Sequence, residues 1–210
     1  MGRPIQANAE ATRTRIRESA VKLFAVQGQA ATTTREIARA SGVSLAMVSH
    51  YFGSKQGLYT ACVDAMYDEL AEASVRLGGA MSHEASPSSI LETAVRECFQ
   101  LARTRRDAIR LILRKLLDDG ELDPRRREDT LLPFLNATSR LFGDATGRPA
   151  EELRLPLQSL VYLTVRHALN TEEELRLITG CNDAPEDAVL EHLIDTAHRL
   201  IPGIPPETLS

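Results

Sequence analysis

The sequence predicts an all-α protein with a small N-terminal helical head and a larger helical body. Three observations predict it. Apolar residues recur at helical spacing along most of the chain, and no stretch sustains the two-residue alternation of a half-buried strand. Aromatic residues make up only 4% of the 210 positions and Trp is absent, so the core is aliphatic and suits helix-on-helix packing. Caps, glycines and prolines cut the chain into about nine or ten helical stretches.

The first helix runs from about Ala9 to Gln27, with Ile16, Ala20, Leu23 and Phe24 on one face. Gly28 is expected to end it as a left-handed cap. Two short helices follow. Thr33 and Glu36 have capping-box spacing, so one starts at Thr33 or Thr34, with Ile37 buried. Gly42 ends it, and Ser44 caps the next. Ser54 caps a long helix that Gly78 and Gly79 should stop.

The stretch from Gly78 to Ser89, rich in Gly, Ser and Pro, reads as a flexible connection. Helices over 88–105 and 107–119 come next, stopped by Gly120. Asp123-Pro124 pairs an N-cap with a proline at the first helical position. That helix should reach Phe142, kinked at Pro133. A helix over 148–169 carries Pro156 inside. Thr171 and Glu174 repeat the capping box over 171–180. The last helix starts at Pro185 and stops before Pro202, with a loose tail over 204–210. The expected domains are 1–56, with the key motif at 33–52, then 57–203.

That motif is a helix-turn-helix. Ala38 is small enough for a second helix to approach, Gly42 follows four residues on, and Val48 and Phe52 anchor the second helix, with Leu45 at the edge of their face. Such a pair places its second helix in a DNA major groove. Ser44, Ala46, Met47, Ser49 and His50 then face outward. An ordinary helical hairpin is the alternative.

Charge favours the first reading. The net charge is −4, yet residues 1–55 carry +5 and the remainder −9. A basic module that meets an anion and an acidic module that does not explain such asymmetry. Thr33 and Thr34 sit where helix N–H groups favour a phosphate. Tyr51 can donate a hydroxyl. Lys55, in the first turn of its helix, opposes the helix dipole and suits an external anion better. Arg3, Arg13, Arg15 and Arg17 form either a minor-groove arm or a solubilising tail.

The stretches "ESAVKLFAVQG", "TTTREIARASGVS" and "HYFGSKQGLY" make residues 12–58 resemble the DNA-binding domain of the TetR family of transcriptional repressors. The resemblance implies a three-helix DNA-binding head and a helical ligand-binding and dimerisation body. It implies a homodimer on a palindromic double-stranded operator, released by a small-molecule effector. Its matching positions imply DNA contacts by Thr33, Thr34, Ser44, Leu45, Met47, Ser49, His50, Tyr51 and Lys55. The second helix lacks any Arg, Asn or Gln for a bidentate base contact, which shifts weight to phosphates and DNA shape.

In the body, a ligand pocket is expected among Cys98, Phe99, Ile109, Leu113, Leu116, Leu131, Leu135, Phe142, Tyr162 and His167, mostly aliphatic and so suited to an apolar molecule. A four-helix dimer interface is expected from Leu157, Leu160, Val161 and Thr164 with Val189, Leu190, Leu193, Ile194 and Ala197. Packing within one subunit is the alternative for both sets. His192, Asp195 and His198 point to different sides of one helix and do not form a metal site. No phosphate loop, catalytic triad or cofactor motif stands out, so an enzyme is not expected. Cys62, Cys98 and Cys181 read as reduced thiols. No apolar run reaches the ~18 residues of a membrane span, and the expected location is the cytoplasm. An effector-independent architectural DNA-binding protein is the rival reading.

Overall fold

A computed structural model describes residues 3–80, 86–121, 124–201 and 203–204. It is helical, with no strand among the described residues. The elements are α1 (Arg3–Ala31), α2 (Thr34–Ser41), α3 (Leu45–Phe52), α4 (Lys55–Ala80), α5 (Pro87–Thr104) and α6 (Arg106–Asp119). A short α7 (Pro124–Arg126) leads through a π-turn (Arg127–Leu131) into α8 (Leu132–Thr146). Then come α9 (Ala150–Ala168), α10 (Glu172–Thr179) and α11 (Pro185–Leu200). The chain divides into two compact units: Met1–Leu70 with Asp107–Leu122, and Ala71–Arg106 with Asp123–Ser210.

The first unit is built on the apolar stripe of α1. Ile16, Ala20 and Phe24 are buried with Ile37 and Ala38 of α2, Val48 of α3, Leu58, Tyr59 and Cys62 of α4, and Leu111 of α6. Each large side chain so buried contributes about 1.5–3 kcal/mol. The Phe24 and Tyr59 rings meet edge-on, with centroids 5.2 Å apart. Burial pushes the Cys62 thiol up to about 12, which suits an inert structural cysteine.

In the second unit, α5 packs on α9 and α11, α8 on α9, and α10 on α11. Its buried apolar residues include Leu91, Val95 and Phe99 of α5, Leu153, Leu157 and Leu160 of α9, and Val189, Leu193 and Ile194 of α11. Two arginines cap the C-terminal end of α9. Arg103 Nη1 donates to the carbonyls of Ala168 (3.2 Å) and Asn170 (2.8 Å). Arg106 Nη2 donates to those of Leu169 and Asn170, both at 2.8 Å. These carbonyls have no intrahelical partners, so cations satisfy them well.

Several boundaries differ from expectation. α1 starts at Arg3 rather than Ala9, so the basic segment is helical from that residue. Gly28 does break it, but at φ 80°, ψ 164°, an extended left-side conformation rather than a left-handed cap. α4 continues through Gly78 and Gly79 to Ala80. Two glycines cost about 1 kcal/mol each without forbidding a helix. Part of the expected flexible connection, 81–85, lies outside the described residues. α5 already begins at Pro87, because Ser86 accepts a hydrogen bond from the Ser89 N–H (3.1 Å) and Pro87 occupies the first helical turn. Asp123 lies outside the described residues. Pro133 stands just past the π-turn, where Leu132 N–H reaches back to the Arg127 carbonyl. Widening the turn absorbs the residue that has no N–H.

Candidate nucleic-acid interface

The interface begins with a rigid start to α2. Thr33 Oγ1 accepts from the Glu36 N–H (3.2 Å), and the Glu36 carboxylate accepts from the Thr33 N–H (2.8 Å) and hydroxyl (2.7 Å). These bonds hold the Glu36 carboxyl below its ordinary value, the Thr33 hydroxyl contributing most. Ile37 and Ala38 turn inward. At the other end Gly42 takes φ 65°, ψ 35°. The Val43 N–H then closes on the Ala38 carbonyl at 3.0 Å, as a glycine-terminated helix does.

Two residues later α3 starts. Ser44 Oγ accepts from the Met47 N–H at 3.2 Å. Val48 is buried and Phe52 half-buried, so this edge is pinned to the core. The opposite side holds Ser44, Leu45, Ala46, Met47, Ser49 and His50, all exposed. Leu45 (40%) and Met47 (37%) are exposed large apolar side chains. Short hydroxyls and soft apolar groups on an exposed helix face can approach base edges closely. Thr33 is exposed, and Thr34 and Tyr51 are half-buried. The Tyr51 ring lies against His50, with centroids 5.3 Å apart.

Two cations behave in ways that local spacing did not reveal. The Arg13 guanidinium sits over the Phe52 ring, 5.7 Å from its centroid, so α1 contributes positive charge beside α3. Lys55 is the larger departure. Its Nζ donates to the carbonyls of Gln29 (2.7 Å), Ala30 (3.2 Å) and Thr32 (3.0 Å). An ammonium has three donors, and all three are engaged. Lys55 therefore ties the start of α4 to the end of α1 instead of reaching outward for an anion. The loose carbonyls past Gly28 are the reason.

Residues 16–62, which contain α2, α3 and the Lys55 contacts, match the family model described as "Bacterial regulatory proteins, tetR family". Over these residues the chain resembles the DNA-binding domain of that family. Among curated proteins, this chain is 35% identical over 83 residues to the HTH-type transcriptional regulator BetI of Rhizobium meliloti, covering 40% of this chain and 39% of that one. It is 48% identical over 56 residues to the HTH-type transcriptional regulatory protein RaaS of Mycobacterium tuberculosis, covering 27% and 26%. These alignments thus span well under half of the relatives' lengths. The fold likeness is broader. A TetR-like transcriptional regulator from Rhodococcus sp. RHA1 superposes with a TM-score of 0.68 at 21% identity, over 90% of this chain and 94% of that one. A TetR family transcription regulator from Marinobacter aquaeolei VT8 gives 0.68 at 18%, over 93% and 98%.

The residues expected to make a dimer face are placed differently. Leu157, Leu160, Thr164, Val189, Leu190, Leu193, Ile194 and Ala197 are all buried within the single chain, and Val161 is half-buried. This stripe is the packing of the subunit itself. α9 instead exposes Leu155 (72%), Tyr162 (49%) and Leu163 (40%), and α11 exposes Glu191, His192, Asp195 and Arg199.

The expected pocket residues fall in different units. Ile109, Leu113 and Leu116 belong to the first, and Cys98, Phe99, Leu131, Leu135, Phe142, Tyr162 and His167 to the second. Phe99, Ile109 and Phe142 are buried. His167 meets His192 ring to ring at 6.1 Å, and burial first, then the neighbouring His192 and Arg166, lower its pKa. His198 turns away from both, with Nδ1 2.9 Å from the Ile204 carbonyl and Nε2 3.4 Å from the Glu92 carboxylate. Among the described residues no helix is long and apolar enough to cross a membrane.

Proposed function

We propose that this protein is a homodimeric transcription regulator that binds a palindromic operator through α3 and represses until a small molecule releases it. The observation that carries the reading is the division of α3. One edge is locked into the core by Val48, while the opposite face, with its N-cap Ser44, presents six exposed side chains. A helix of eight residues makes few contacts, so two copies are needed. They would read half-sites about 34–36 Å apart.

The exposed faces of α9 and α11, led by Leu155, Tyr162 and Leu163, supply the dimer contact in this reading. Phosphate contacts fall to the α2 N-terminus at Thr33 and Thr34, to Tyr51 and to the basic face of α1; Lys55 is left to hold the scaffold. The effector would enter the second unit near Cys98, Phe99 and Phe142. Effector and operator then oppose each other through linkage.

A mobility shift with DNA fragments flanking the protein's own gene, run at two salt concentrations, tests this. A specific fragment should bind, and binding should weaken steeply with salt. Failure to retain any fragment specifically at low salt contradicts it.

A further inference from the structure

Within the first unit, a cleft of about 480 Å³ is lined by the end of α1, the first turns of α4 and the second half of α6. Its walls include Gly28, Gln29, Gln56, Tyr59, Arg114 and Lys115. Arg114 is the unusual member. Its Nη1 is buried and has no hydrogen-bond partner. Asp118, one turn along the same helix, also lines the cleft, yet no ion pair joins it to Arg114 among the described residues.

Gly28 fixes where this guanidinium lies. A Cβ at Gly28 would stand 3.0 Å from Nη1, 3.4 Å from Cζ and 3.8 Å from Nε. One edge of the guanidinium therefore rests on bare glycine backbone, and Nη2 is the nitrogen furthest from it. The φ of +80° at Gly28 is one that other residues rarely adopt. Space and backbone conformation thus both demand glycine where Arg114 is seated.

A guanidinium partly removed from water with no acceptor is costly. Its planar fork is shaped for an oxyanion, and Arg suits carboxylate and phosphate better than any other side chain. A second donor stands nearby. Gln29 Nε2 donates to Gln56 Oε1 at 2.6 Å, which orients the Gln56 amide and leaves its –NH₂ for another partner. Lys115 adds positive charge to the lining. The volume falls in the range of small-molecule sites and exceeds what one ionic group needs.

We propose that this cleft binds a small oxyanion, the carboxylate or phosphate group of a metabolite-sized molecule, on Arg114 with Gln56 as second donor. The site shares no residue with the exposed face of α3 or with α8, α9 and α11. It is therefore separate from the effector site proposed above, and its test involves no DNA.

The test is an amide ¹H–¹⁵N NMR titration of the full-length protein with inorganic phosphate and, separately, with acetate, against sodium chloride at matched ionic strength. At least one of the two anions should give saturable shifts at Gly28, Gln29 and Gln56 that chloride does not reproduce. Arg114→Met should weaken that binding by at least about tenfold, and Arg114→Lys, which keeps charge but loses the fork, by less. Should Arg114→Met not fold, Gln56→Leu at an exposed position carries the test, with about threefold weakening expected. The tighter of phosphate and acetate identifies the headgroup. No saturable shift from either anion at about 10 mM, an equal response to chloride, or unchanged affinity in the folded variants overturns the proposal.

Discussion

The pair α2 and α3 and the pair α9 and α11 show opposite relations between sequence and structure. The first two are eight residues each, and the second two are 19 and 16. The short pair is written almost entirely in local chemistry: a capping box, a left-handed glycine, a serine cap, and apolar residues at fixed offsets. Its boundaries and its outward face follow from those residues alone. The long pair carries broad apolar stripes, and a stripe says only that something covers it. In this chain the cover is the subunit's own core, and α9 leaves Leu155, Tyr162 and Leu163 exposed elsewhere.

The largest expected effect tests that difference directly. Leu193 is 1% exposed, so Leu193→Ala should destabilise the subunit by about 2–5 kcal/mol in thermal or denaturant unfolding. Tyr162→Glu, on the exposed face of α9, should leave subunit stability nearly unchanged and weaken dimerisation by at least about tenfold in analytical ultracentrifugation. Reversed outcomes would make the buried stripe the interface after all.

Lys55 gives an intermediate effect. Lys55→Met removes the ammonium from three carbonyls and should cost about 1.5–3 kcal/mol of stability, the range for hydrogen bonds to a charged group. The salt dependence of DNA binding should not change. A slope lower by about one, with stability intact, would restore Lys55 as a phosphate contact.

The smallest effect compares the two capping boxes. Glu36 is held below its ordinary pKa of 4.5 chiefly by the Thr33 hydroxyl, and Glu174 by the Thr171 N–H. A depressed carboxylate pKa adds stability above 4.5 that disappears as pH falls through the folded value. Glu36→Gln should therefore be slightly less stable than wild type at pH 7, with the difference vanishing in acid. Glu174→Gln should follow the same course. A difference that persists undiminished in acid would contradict the charge-assisted cap.

What was legible in the sequence sorts by range. Helix starts at Thr33, Ser44, Ser54, Thr171 and Pro185 rest on bonds spanning three or four residues, and each forms as its sequence indicates. Ser86-Pro87 carried an equally local signal, an N-cap before a first-turn proline, which the surrounding Gly and Ser content masked. The partners of Lys55, Arg103 and Arg114 were not legible. Their carbonyl acceptors or glycine seat lie between 23 and 86 residues away, and nothing in residue spacing announces which distant helix end needs a cation. The outward side chains of α3 were legible as a face, while the sequence that such a face would read depends on DNA shape as much as on residue identity.

The central claim is that the exposed half of α3 meets DNA while its other edge serves only the fold. Ser49 is exposed on that half and spends no side chain on the core. Fluorescence anisotropy of the Ser49→Asp variant on a fragment that wild type binds tests the claim most directly, paired with its thermal midpoint. A carboxylate set against the phosphates should raise Kd by more than about tenfold while the midpoint stays within a few degrees of wild type. Unchanged affinity in a folded Ser49→Asp variant would contradict the account.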